Sequence, residues 1–140
     1  MRLVLDTNVL IAAFRSRRGA SAELLRLGEK GLFRILCSTA LFLEYEAVLS
    51  RAEVRRHTGH TLADVAKILD GLAALAIGVD VEFRMRPTLR DPNDEMVLEA
   101  ALNGGAEAIV THNERDFAPA KAWKLQVLRP AVVVRRLKDG

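Results

Sequence analysis

The chain opens on an apolar run, RLVLD at residues 2–6, which breaks at Asp6-Thr7-Asn8 and resumes as VLIAAF. A short apolar run of this kind predicts a buried strand, and residues 8–14 take up helical spacing. Arg15 to Ser21 is polar around one glycine, which predicts a loop. Residues 21–30 return to a helix through Leu24, Leu25 and Leu27, and Gly28 and Gly31 bracket its end. FRILC at 33–37 predicts a second strand, followed by a helix over 39–51. Leu62, Val65, Ala66, Leu69, Leu72 and Ala73 then form a stripe of helical period over 62–76. VDVEF at 79–83 predicts a short strand, and Arg84 to Thr88 a loop. A helix over 92–103, strands over 107–111 and 125–128, and a last helix opened by Pro130 complete the pattern.

Strands alternating with helices predict an α/β fold, a three-layer α/β/α sandwich around a mostly parallel sheet. With no repeat and no long linker, residues 1–140 form a single domain. Such sheets gather ligands at the carboxyl ends of their strands. Asp6 ends the first strand and Thr111 a later one, so both belong to that rim.

The acids are placed unusually. In RDPNDEMVLEAAL, Asp91 reads as an N-cap with Pro92 as the first helical residue. At about 100° per residue, the face of Val97, Leu98, Ala101 and Leu102 centres close to Asp94, while Glu95 and Glu99 turn toward solvent. The bland alternative makes Asp94 a capping partner favoured by the helix dipole. In TALFLEYEAVLS, Glu44 and Glu46 border the apolar face on opposite sides, and periodicity does not choose between them. AIVTHNERDF leaves a strand at Thr111 for a turn holding His112, Asn113, Glu114 and Asp116, where a lone histidine is weak evidence for a ligand. Together, Asp6, Glu44 or Glu46, Asp94 and Asp116 can meet at one rim. Clustered carboxylates repel and shift toward protonation unless a cation compensates them. Mg²⁺ or Mn²⁺, with its preference for oxygen ligands and phosphate, answers that need.

Composition narrows the partner. The net charge is +3 with a pI near 9.4, which permits a polyanion without demanding one. Arginine predominates in clusters at Arg15, Arg17 and Arg18, at Arg51, Arg55 and Arg56, at Arg84, Arg86 and Arg90, and at Arg135, Arg136 and Lys138. Guanidinium forks match phosphate oxygens, although any one cluster also fits a solvated helix end. No long charge-free window exists, so no membrane span is expected, and the polar triplet spoils a signal peptide. The single Cys37 supports no disulfide framework; it fits a buried small hydrophobe in a soluble cytoplasmic protein.

These motifs resemble the PIN-domain family of small Mg²⁺-dependent ribonucleases, nearly end to end. The resemblance rests on LVLDTNVLIAAF, a helix acid followed by VLSR, DPNDEMVLEAAL and IVTHNERDF. Within the family, the chain looks most like the toxin of VapC-type toxin–antitoxin pairs. By position, Asp6, Glu44, Asp94 and Asp116 match the family acids that hold one or two metal ions. Glu44, not Glu46, has the matching offset before VLSR. Thr7, Asn8 and Thr111 would orient the carboxylates. Some members carry an acid where Asn113 stands, so Asn113 and Asp116 compete for the fourth place. The implied reaction cuts RNA to leave a 3′-hydroxyl and a 5′-phosphate. The implied partner is an antitoxin peptide set against the acids, and a homodimer is expected, with the stripe over 62–76 packing internally or forming part of its face.

Two rival readings follow from the same residues. A haloacid-dehalogenase-like phosphatase also starts with a strand-end aspartate, but needs a second one where Asn8 stands. A non-catalytic RNA-binding module would keep the fold without needing all the acids.

Overall fold

The computed structural model describes residues 1–84 and 89–140. Strands β1 (Arg2–Leu5), β2 (Arg34–Ser38), β3 (Ile77–Val79), β4 (Ala108–Val110) and β5 (Gln126–Leu128) form one sheet in the order β3-β2-β1-β4-β5. Every pairing is parallel. Helices α1 (Thr7–Arg15), α2 (Ala20–Glu29), α3 (Thr39–Leu49), α4 (Ala52–Thr58), α5 (Leu62–Leu75), α6 (Pro92–Gly104) and α7 (Pro130–Asp139) connect the strands and flank them. Leu3, Val4 and Leu5 point alternately to opposite faces, yet all are 0% exposed. Both faces of β1 are therefore covered, as a parallel sheet requires. This is the three-layer α/β architecture expected of the sequence.

The strand order reverses between β1 and β4. The chain runs outward from β1 through β2 to β3, then crosses back to β4 and β5. A crevice opens beyond the strand ends at such a switch point. Asp6 and Thr111 directly follow the paired residues Leu5 and Val110 there.

Several expectations shift. The strand expected at 79–83 lies instead at Ile77–Val79, because pairing with β2 fixes the register Leu36↔Ile77 and Ser38↔Val79. The residues beyond it turn to α6. Glu82 and Phe83 donate their backbone N–H groups to Asn103 Oδ1 at 2.9 and 3.2 Å, and Asn103 Nδ2 donates to the Phe83 carbonyl at 3.0 Å. Glu95 and Glu99 do not face solvent as the helical wheel suggests: they are 3% and 6% exposed, on a helix that packs against α3 as well as the sheet. Glu95 Oε1 accepts the Leu89 N–H at 2.6 Å. Helical α4, ended by Gly59 at φ 79°, buries no side chain and so left no apolar stripe to read. The turn after Thr111 becomes a 3-10 helix, Glu114–Trp123. Most of the loop expected from Arg84 to Thr88, with Arg86, lies outside the described residues.

The α5 stripe divides. Val65, Leu69 and Leu72 join the core, whereas Leu62 is exposed. Cys37 is buried, and burial pushes its thiol up to about 12, which makes it inert. Gly104 is a packing requirement: an added Cβ would lie 2.8 Å from Val79 Cγ2 and 3.0 Å from Leu36 Cδ1, so the end of α6 rests directly on β2 and β3. No helix of the described residues is long and apolar enough to cross a membrane.

Tyr45 joins α3 to the site's foundation. Its buried hydroxyl donates to the Leu5 carbonyl, the last of β1. Tyr45→Phe leaves that carbonyl without this donor and should lower unfolding stability by about 1–3 kcal/mol. The expected readout is a lower urea midpoint at unchanged slope.

Candidate active site

Asp6 is the N-cap residue of α1, extended at φ −66° and ψ 148°, but its side chain does not cap the helix. An aspartate here ordinarily accepts from the second or third helical N–H. Asp6 instead accepts from Thr111 Oγ1, at 2.7 Å, and from the Thr7 backbone N–H. The hydroxyl of Thr111, itself 0% exposed, also accepts from the Asn113 N–H at 3.0 Å and from Asn8 Nδ2 at 3.5 Å. Asn8 Oδ1 takes the His112 N–H at 3.4 Å. The amide of Asn8 thus bridges α1 to the end of β4, and no carboxyl stands two residues after Asp6 to serve a phosphatase.

Asp94 stands in the first turn of α6, half-buried. Asp91 caps that helix through the Asn93 N–H at 2.9 Å. The reciprocal bond that would make Asp94 a capping partner is not among the contacts of this helix start. Burial, then the charges of Asp6, Asp91, Asp116 and Glu95, pushes the Asp94 carboxyl up to about 7. Burial also raises Asp6, aided by Asp116 and opposed by its hydrogen bonds to Thr111 and Thr7. Asp116 is exposed at the start of the 3-10 helix and lines a groove of about 650 Å³ together with Asp94. Asn113 lines an adjoining groove of about 470 Å³, again with Asp116. Of the two candidates for a fourth position, Asp116 is the one whose charge acts on Asp6 and Asp94.

Glu44 is half-buried on α3 and Glu46 exposed. Neither is among the largest influences on Asp6 or Asp94, whereas Asp116 is among those of both. Among the described residues, no three His, Cys, Asp or Glu side chains converge tightly enough to hold a metal ion as they stand. Repelling carboxylates spread apart without a cation between them. The donors nonetheless suit Mg²⁺ or Mn²⁺ chemically, being hard oxygens raised by one another's charge.

His112 has more to do than its sequence suggests. Its Nε2 lies 2.8 Å from the hydroxyl of buried Ser21, tying the rim to α2. Burial and Arg129 hold its imidazole below the ordinary value against the pull of Asp6. No local pattern marks a partner 91 residues away.

A family model described as the PIN domain matches residues 2–115. The chain belongs to the PIN domain family. The match ends one residue before Asp116, so the family model itself does not reach that acid. No curated protein matches the chain. In fold, this PIN domain is similar to a chain in the structure of VapBC-1 from nontypeable Haemophilus influenzae. The TM-score is 0.63 at 16% identity, covering 93% of this chain and 98% of that one. It is similarly related to a chain of VapBC2 from Rickettsia felis, in a structure bound to a DNA fragment from their promoter. There the TM-score is 0.62 at 16% identity, covering 92% of this chain and 98% of that one.

The raised Asp94 gives this PIN domain a definite pH response. From about pH 4 an unfolded Asp94 ionises, while the folded carboxyl holds its proton to about 7. Without divalent cation, its contribution to stability is therefore full at low pH and lost as pH rises through that window. Asp6, also raised, acts in the same direction. In EDTA, the urea midpoint should fall between about pH 4 and about pH 7, and Asp94→Asn should flatten the fall. Parallel curves for the two proteins would contradict this.

Proposed function

We propose that this PIN domain is a metal-dependent endoribonuclease, the toxin of a toxin–antitoxin pair. The observation that carries the reading is the crowding of carboxylates at the switch point, where burial and then the charges of Asp6, Asp91, Asp116 and Glu95 raise Asp94. Uncompensated acids destabilise a fold, and a divalent cation turns that liability into a binding site. Asp6, Asp94 and Asp116 would hold Mg²⁺, with Mn²⁺ able to replace it, and Glu44 would reach in from α3. When bound, the metal supplies Lewis acidity toward phosphate oxygens.

The chain's own residues do the positioning. Thr111 Oγ1 and the Thr7 N–H hold the carboxylate of Asp6 in place. Asn8 and the Asn113 N–H hold the Thr111 hydroxyl in turn. Asp94 is set by the cap of α6, and Asp116 stays exposed where a phosphodiester can approach. In-line attack of water would leave a 3′-hydroxyl and a 5′-phosphate, as the family resemblance implies. The toxin role is supported by fold likeness to chains in VapBC structures. On this reading the protein works in the cytoplasm, an antitoxin peptide carrying an arginine neutralises the acids, and a homodimer would use the exposed end of α5 near Leu62.

The decisive test is cleavage of RNA with Mg²⁺, with EDTA, and in variants. EDTA should abolish cutting. Thr111→Val, which removes an outer partner, should reduce kcat roughly 10–100-fold, and Asp6→Asn and Asp94→Asn should reduce it further. Glu44→Gln should lower activity where Glu46→Gln does not. Full activity of Asp6→Asn and Asp94→Asn would sink the assignment. RNA binding without cleavage under any divalent cation would assign a non-catalytic RNA-binding module instead.

A further inference from the structure

The acids share their rim with arginines that the proposed chemistry leaves unused. Asp6, Thr111 and Arg129 directly follow Leu5, Val110 and Leu128, which pair in register. An acid, a hydroxyl and a guanidinium thus occupy neighbouring rim positions on β1, β4 and β5. Arg129 is held in place: Nη2 donates to the His112 carbonyl at 3.1 Å, and Nε faces Glu114 Oε1 at 3.6 Å. It lines the smaller groove with Arg115 and Asp116. Arg115 and Asp116 also wall the larger groove, together with Arg90, Asp91 and Asp94. Arg90 is pinned between two backbone anchors, the Leu89 N–H on Glu95 and the Asp91 cap of α6. Among the described residues, neither Arg90 nor Arg115 forms a salt bridge.

A pocket of carboxylates repels the polyanion it is meant to cut. Cations must therefore hold the backbone on either side of the acids. Guanidinium groups do this with forked, charge-assisted bonds to phosphate. The two grooves meet at Arg115 and Asp116, so a strand laid through both passes Arg90 before that meeting point and Arg129 after it.

We propose that Arg90, Arg115 and Arg129 form a phosphate track for single-stranded RNA, with Arg90 gripping the backbone on the α6 side of the acids and Arg129 on the β5 side. The track rests on the nuclease reading and adds to it the path of the substrate. Its contacts are to phosphate, so it positions the strand and is indifferent to base identity.

The test measures binding of a fluorescent single-stranded RNA by Asp6→Asn protein in EDTA over a range of salt. Each phosphate contact contributes about 0.7 to the slope of log K against log salt. Arg90→Ala and Arg129→Ala should each flatten the slope by about 0.7, and their combination with Arg115→Ala by about 2. Arg129→Lys should restore the slope, since it keeps the charge. Arg34→Ala, at the amino end of β2 beside Arg2 and so at the opposite end of the strands from the rim, should leave it unchanged. In the cleaving background of wild-type Asp6 with Mg²⁺, Arg90→Ala should raise KM with kcat held within a few-fold. Unchanged slopes in all three alanine variants, where the wild-type protein cleaves RNA with Mg²⁺, overturn the track and leave the nuclease reading standing. Asp6→Asn protein that does not bind RNA, together with wild-type protein that does not cleave it, overturns both.

Discussion

Asp6 survives as a buried carboxylate because a threonine hydroxyl from another strand reaches it at 2.7 Å. That bond exists only while β1 and β4 stay paired with Leu5 opposite Val110. The Asp6 N–H extends the pairing one step further, donating to the Val110 carbonyl at 2.9 Å, and the Thr111 N–H does the same toward Leu128 at 2.9 Å. A register slip of β1 by one residue would turn Asp6 to the other face of the sheet, away from Thr111. The fully buried residues of β1 make such a slip costly. The hydrophobic core and the polar rim are thus one constraint: the core fixes the register, and the register brings the rim residues into contact.

The site is stiff on one side and loose on the other. Asp6 is bound by hydroxyl, backbone and helix start, and is 8% exposed. Asp116 is exposed on a 3-10 helix, a geometry with poorer hydrogen bonds than the α-helix. Asp94 lies between these extremes, set by a capped helix yet raised by its neighbours. Concentrating like charges here costs folding stability, the usual tension between a functional site and the fold that carries it. It also means that the least anchored acid can move to meet a ligand while the most anchored one serves as the fixed reference.

Much of this was legible in the sequence because the signals were local. The break in RLVLDTN marked a strand end, and helical spacing turned Asp94 inward. Glu95 and Glu99 escape the wheel for a physical reason: a helical wheel assumes one covered face, whereas α6 packs against α3 as well as the sheet and Glu95 accepts the Leu89 N–H. The β3 register was set by β2, not by its own alternation. Helix α4 buries nothing, so it had no stripe to betray it. The link from His112 to Ser21 joins distant stretches and leaves no trace in either. Glu44 remains the acid that pattern resemblance singles out and electrostatic contact does not.

Gly104 has no side chain and no chemistry, yet it bears on the distant end of its helix. Its bare backbone seats α6 against Val79 and Leu36, while Asn103 ties the same turn to Phe83. A helix so seated cannot slide along its axis. Asp94 lies ten residues up the same rod, about 15 Å away at the helical rise. The glycine therefore works as the heel of a ruler: where it stops decides where the acid stands. A lineage that replaced it would have to re-set the length of α6 or the depth of β3 to keep Asp94 in the crevice.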